Sequence, residues 1–229
     1  SPKMKRIFYA ALLAIASLLV SFPAAAQHFT CAQYETDAKR WQDIEQLFKR
    51  QGWAQWALAV KDAFPLNNDR SIQFKYVIAS DVACSQKQLT DLVQKWITLE
   101  HPNVLPLPSG QTVDLKVQTL WDNVAHSYRV FSAAYVSAKS ETFVEFKENR
   151  LRITVTVSRY VMGAASPFQI NSDTPLVGDC YPFDLNGKWK NVLAMAYINS
   201  NQKALDQVAS LLNYLNRHTA TPSKADKDW

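Results

Sequence analysis

From Leu151 to Ser158 the chain alternates without a break: Leu151, Ile153, Val155 and Val157 fall on one side, Arg152, Thr154, Thr156 and Ser158 on the other. A strand over 150–160 with one buried and one solvated face is predicted, the mark of an antiparallel sheet. Glu148-Asn149, with Asn tolerating positive φ, predicts a two-residue hairpin back to a strand at Phe143 to Lys147. Ile72, Phe74, Tyr76 and Ile78 alternate with Gln73 and Lys75 and predict another strand, as do Val113, Leu115 and Val117 around Asp114 and Lys116. Tyr128 to Val136 is apolar on both faces and reads as a further strand.

Elsewhere the period is helical. Tyr34, Ala38, Trp41, Ile44 and Phe48 form a stripe ending near Gly52 as a left-handed cap, and Trp53, Trp56, Ala57, Val60 and Phe64 continue it to Pro65. Leu66-Asn67-Asn68-Asp69 is a turn cluster. Ser85 with Gln88 forms a capping box, and Leu89, Leu92, Val93, Trp96 and Ile97 then make a core-facing stripe that stops at His101-Pro102, before a loop to Gly110. Near the end, Ser200 reads as a cap before the stripe Leu205, Val208, Leu211, Leu212 and Leu215. Residues 161–198 show no clear period, with Val192 to Ile198 as a short element inside them. The order is strand, helix, four strands, helix, after an N-terminal helical extension. Strands joined by short turns pair antiparallel, and two striped helices need one apolar face to cover. The expected fold is α+β: a curved antiparallel sheet of about five strands, covered on one face by two helices.

Composition adds the class and the compartment. The chain has 229 residues, 48% of them hydrophobic and 20% charged, enough for one sizeable core and unlike disordered or collagen-like sequence. Its five glycines include no glycine-rich phosphate loop. Lys5 and Arg6 precede an uncharged run from Ile7 to Phe22, then Pro23 and Ala24-Ala25-Ala26, the pattern of a secretory signal peptide cut between Ala26 and Gln27. That run is 16 residues, short of the roughly 20 a membrane span needs. The expected organisation is a signal peptide (1–26), a helical extension (27–63), the α+β domain (64–216) and a flexible polar tail (217–229). The protein is expected to be exported, periplasmic or secreted, with no membrane span in the mature chain. The formal charge of +5 falls to +2 once Lys3, Lys5 and Arg6 leave with the signal, and no clustered basic face suggests nucleic acid. Cys31, Cys84 and Cys180 allow at most one intrachain disulfide, with three possible pairings.

Two sets of strings carry a resemblance. One is Phe64-Pro65-Leu66, Ile72 to Ile78, the helix from Leu89 to Trp96, and the hairpin Phe146 to Leu151; the other is Tyr181-Pro182-Phe183 and Ser210 to Leu215. Together they resemble a family of exported bacterial domains of unknown function with a TATA-binding-protein-like fold, over roughly residues 64 to 216. The resemblance implies a curved antiparallel sheet under helices and a secreted or periplasmic place, and it implies no reaction.

Candidate chemistry is sparse. His28, His101, His126 and His218 have no second ligand at metal spacing, so no metal or other cofactor is expected, and no Gly-x-Ser-x-Gly elbow occurs. Asp173, Asp179 and Asp184 fall in one loop with Cys180 and read first as turn formers. Trp121, Tyr181 and Trp189 lie outside the helix stripes, and exposed aromatics there could stack on sugar rings or anchor a partner. The expected function is a non-catalytic binding or interaction module of the cell envelope, taking an envelope protein or a glycan. The alternative is an envelope hydrolase using the 166–190 loop. The first expects Tyr181 and Trp189 on an exposed patch. The second expects Asp179, Cys180 or His126 to converge in a concave pocket.

Overall fold

The computed structural model describes residues 28–102, 107–108, 114–129, 132–166, 169–187 and 189–219, and all that follows concerns these. The expected signal peptide and the tail beyond Thr219 lie outside them, as does Val113.

Strand β1 (Phe29–Thr30) leads into α1 (Ala32–Phe48), a short 3-10 turn (Lys49–Gln51) and α2 (Trp53–Ala63). Gly52 joins the helices at φ 94°, open only to glycine at low cost. Then come β2 (Ile72–Ser80) and α3 (Gln86–Glu100). The capping box forms as expected: the Ser85 hydroxyl accepts from the Gln88 N–H at 3.2 Å and the Gln88 side chain accepts from the Ser85 N–H at 2.8 Å. Strands β3 (Leu107–Pro108), β4 (Leu115–Arg129), β5 (Ser132–Lys147), β6 (Arg150–Ser166) and β7 (Gln169–Asp173) follow, and α4 (Lys190–His218) closes the fold.

The sheet is antiparallel in the order β1-β2-β6-β5-β4-β3, with β7 on β6. The predicted hairpin is present, with Asn149 at φ 61°. Ile72, Phe74, Tyr76 and Ile78 of β2 and Leu151, Ile153, Val155 and Val157 of β6 are buried together beneath α3 and α4. The fold is thus α+β as expected, with α1 and α2 joining the same core through Trp41, Trp56 and Val60.

Three expectations are corrected. The four later strands are three long ones with a short partner at each flank, because two long strands hide from a test of strict alternation. In β4, three residues (Asp122, Asn123, Val124) face the single Ser137 of β5, and Asn123 takes φ 50°. In β5 the inward positions Ala138, Ser140 and Thr142 are buried but small or polar, so no apolar stripe marks them. Second, the 161–198 stretch holds the rest of β6, β7, a 3-10 turn (Val177–Asp179) and the start of α4. Third, Ser200 is not a cap: it is fully buried in mid-helix. Leu193, Ala194, Ala196, Tyr197 and Ile198 before it are buried on most sides, so that half of α4 shows no single stripe.

Candidate ligand-binding cavity

A bulge begins the site. Lys139 pairs with Arg159 and Ser140 with Val157, leaving Ser158 as the extra residue of β6. Inward residues therefore switch from odd to even numbers, and Tyr160 is fully buried while Met162 follows on the same side. Strand β7 then doubles back along β6, pairing Asp173 with Met162.

The chain next crosses to the turn after α2. Asn67 builds that turn by accepting from the Asp69 N–H (3.1 Å), the Ser71 N–H (2.9 Å) and the Ser71 hydroxyl (2.9 Å) through one side-chain oxygen. Arg70 leaves it at φ 60° and clamps the 3-10 turn: its carbonyl accepts from the Gly178 N–H at 3.0 Å and its guanidinium donates to the Gly178 carbonyl. It also pairs with Asp179 at 2.6 Å. Only glycine fits at 178, since a Cβ there would stand 2.7 Å from the Arg70 Cβ.

Between β5, β6, this clamped segment and the first turn of α4 lies a half-open cavity of about 440 Å³. Its floor is apolar, with Val136, Met162, Val192 and Leu193. Asp173, Asp179 and Asp184 line it with Cys180, and Trp189 stands at it with 42% of its surface exposed. Trp189 adopts the left-handed backbone at φ 69°, ψ 26°, a conformation that costs a side chain of this size roughly 1–2 kcal/mol. Its carbonyl accepts the first bond of α4, from the Leu193 N–H at 2.9 Å.

The cavity gathers the aspartates and the cysteine, but each has structural work. Asp184 accepts from the Asn186 N–H at 3.0 Å, Asp173 from the Thr174 N–H at 2.7 Å, and Asp179 holds Arg70. The Cys180 thiol donates to the Leu176 carbonyl at 3.4 Å. Burial, helped by Asp179, Asp173 and Asp184, pushes its pKa up to about 12, so it is a neutral thiol at ordinary pH and a poor nucleophile. His126 is exposed on β4 with its ring against Tyr128 and does not line the cavity, so no imidazole stands beside the thiol there. All three cysteines are buried free thiols, and none of the possible pairings is made.

Of the three aromatics singled out from sequence, Tyr181 and Trp189 line this cavity and Trp121 does not. Tyr181 is buried rather than exposed: its hydroxyl donates to the Ala54 carbonyl at 2.9 Å, and the Lys190 ammonium lies 5.1 Å from the ring centre. Trp121 is half-buried against the core where the bulge of β4 begins. Sequence reasoning missed Tyr135, Val136 and Met162: it read Tyr128 to Val136 as one strand where β4 ends at Arg129 and β5 begins at Ser132, and it ended β6 at Tyr160. It also missed Arg70 and Gly178, whose partnership spans 108 residues and leaves no local signal. Among the described residues no group of three His, Cys, Asp or Glu is placed to hold a metal ion. No helix there is long and apolar enough to cross a membrane.

No family model and no curated protein matches the sequence. Two solved structures are similar in fold. A TBP-like protein from Parabacteroides distasonis is 10% identical with a TM-score of 0.49, over 68% of this chain and 97% of its own. A DUF4468 family protein from Bacteroides ovatus is 17% identical with a TM-score of 0.43, over 66% of this chain and 90% of its own. The description of the fold rests on the strand order and register given above.

Proposed function

We propose that this chain is an exported binding module of the cell envelope whose ligand sits in the cavity beneath Trp189. One observation carries the reading. A large aromatic is held in a costly left-handed backbone and presented, 42% exposed, over a hollow of about 440 Å³ with an apolar floor and three aspartates in its wall. Strain of this kind persists where the surroundings enforce it, and it gathers at ligand clamps. The size suits a small ligand or one unit of a longer one. Export is supported by the basic, apolar and small-residue pattern from Lys5 to Ala26. A nucleic-acid role has little support, since Arg152 is paired with Glu145 and Lys116 with Glu141 across the outer face of the sheet.

The hydrolase alternative draws on the convergence of Asp173, Asp179, Cys180 and Asp184 in one cavity. Against it stand a protonated thiol, no neighbouring imidazole, and three carboxylates already engaged. Thermal melting against envelope glycans, peptides and metals tests the reading. A ligand at 100 times its Kd adds about 2.7 kcal/mol, which moves the midpoint of a chain this size by roughly 5–11 °C. The expected result is a shift with one class that Trp189→Ala abolishes. A shift that survives Trp189→Ala removes the cavity from the account.

A further inference from the structure

We propose that the open edge of β2 is a second binding site, which takes an acidic segment of another protein as an added strand beside α1. The site shares no lining residue with the cavity beneath Trp189 and does not rest on the reading of that cavity. Antiparallel strands send the backbone groups of successive residues to opposite edges. In β2 the alternation is fixed at its end. The Ser80 N–H donates toward β6, to the Asn149 carbonyl at 2.8 Å, and the Asp81 N–H donates the other way, to the His28 carbonyl just before β1 at 2.9 Å. Steps of two back from there send even-numbered residues to β6, whose register with β2 runs from Ile72 to Ala79 without a slip. Odd-numbered residues face the opposite edge, where β1 covers only Ala79 and Ser80. The backbone N–H and C=O groups of Gln73, Lys75 and Val77 are left over, with no hydrogen-bond partner among the described residues.

A trench of about 340 Å³ follows this edge. Ile72 to Tyr76 line it in unbroken succession, although Ile72, Phe74 and Tyr76 are buried on the inner face and Lys75 is exposed on the outer one. Only the backbone edge is common to both faces of a strand. The other wall is one face of α1, with Gln33, Asp37 and Arg40 spaced four and three apart. An extended peptide adds to such an edge through main-chain hydrogen bonds, and flanking side chains read its alternate residues. Charge chooses the partner. Arg40 reaches only the Ala63 carbonyl, at 3.4 Å. Lys75 forms no ion pair among the described residues, and the Glu145 carboxylate that feels it is already held by Arg152 at 2.5 Å. Asp37, the carboxylate of the trench, accepts from the Tyr76 hydroxyl at 2.9 Å and the Gln33 amide at 3.2 Å. Arg40 and Lys75 therefore suit acidic side chains on the incoming strand. A second copy of this chain fits less well, because pairing about the middle of the open row sets Lys75 opposite Lys75, and like charges so placed repel.

The test is selection of a phage-displayed library of random decapeptides on the purified protein, followed by fluorescence anisotropy with a synthetic copy of the enriched sequence. Enriched sequences are expected to alternate β-branched with acidic residues. Methylating every second peptide nitrogen in one register is expected to abolish binding, and in the other register to preserve it, since only alternate amides face β2. Val77→Pro removes an N–H from the open edge without touching the ladder to β6, and is expected to weaken binding at least about tenfold. Lys75→Glu is expected to weaken it about tenfold with the melting temperature unchanged. Trp189→Ala is expected to leave it unaltered. No enriched sequence, or binding indifferent to both the methylation register and Val77→Pro, overturns the strand site. A basic consensus overturns the acidic partner. A dimer in sedimentation that Val77→Pro dissolves gives the edge to a second copy instead. Binding lost in Trp189→Ala and kept in Val77→Pro places the peptide in the cavity and overturns the second site.

Discussion

At the end of the sheet where β2 pairs with β6, Leu151, Ile153, Val155 and Val157 are buried under helices, and outward charges meet opposite ones, Arg152 with Glu145 and Lys116 with Glu141. Past the bulges at Asn123 and Ser158 the same strands change character. Their outward positions carry the exposed rings of His126, Tyr128 and Tyr135, and on the inward side Val136 and Met162 floor the cavity while Val124 and Tyr160 stay buried, Val124 with its carbonyl accepting from the Asn199 side chain of α4. Branched aliphatics at one end make the fold. Small residues and rings at the other leave a surface free to be used. A bulge is what allows one strand to do both, because it resets which residues face inward without ending the ladder.

The comparison is broken most directly by removing one side chain from each end. Ile153→Ala deletes a fully buried side chain and should cost about 2–5 kcal/mol, lowering the melting temperature by roughly 4–20 °C in calorimetry. Tyr128→Ala, at an exposed position, should stay within about 0.5 kcal/mol of the parent. Equal losses at the two sites would mean that the ring-bearing end is part of the folding core.

How much of this was legible in the sequence follows the same division. Strands β2 and the first half of β6 announce themselves, because their alternation is unbroken and one face is wholly apolar. The capping box of α3 and the positive φ of Asn149 are local chemistry and were read correctly. The middle of β5 and the end past the bulges are less legible. Opposite Val157 and Val155, Ser140 and Thr142 are buried yet polar, held in part by the bond between the Thr119 and Ser140 hydroxyls at 2.7 Å, and no pattern of apolar residues can report them. The cavity was half visible: Tyr181, Trp189 and the three aspartates were named from sequence, while the residues that form its floor and its clamp meet only through the fold.

Gly178→Ala tests the clamp that shapes the cavity. The added methyl would stand 2.7 Å from the Arg70 Cβ and 3.0 Å from the Arg70 carbonyl, so backbone must give way. The expected cost is about 1–3 kcal/mol, seen as a lower urea midpoint, together with weaker binding of whatever ligand shifts the parent. Unchanged stability would mean that the 3-10 segment is loosely held and the cavity adjustable.

Alkaline pH probes the same wall through Cys180. Its thiol is held protonated in the fold, pushed up to about 12 by burial and the nearby carboxylates from an ordinary value of 9.0. Between those values the unfolded chain has lost the proton that the folded one keeps. Stability is therefore full below about pH 9 and falls as pH rises toward 12, with a slope approaching about 1.4 kcal/mol per pH unit. Other buried cysteines and tyrosines add to the fall, so the informative quantity is the difference between parent and Cys180→Ala. Melting curves from pH 8 to 10.5 should converge as pH rises if the variant escapes this term, and parallel curves would show Cys180 to be more accessible than its burial indicates.

The smallest effect should come from Asp179→Asn. The Arg70–Asp179 pair is close, at 2.6 Å, yet its side chains are 57% and 46% exposed, so solvent screens most of the attraction. A loss of about 0.2–1 kcal/mol is expected, shrinking further at high salt. The contrast with Gly178→Ala separates two explanations of how the segment is anchored. If backbone fit holds it, the glycine change should cost more than the loss of the ion pair, and the cavity should keep its ligand in Asp179→Asn. An Asp179→Asn variant that loses binding while keeping its melting temperature would show the carboxylate touching the ligand, and would move Asp179 from the scaffold of the cavity to its working surface.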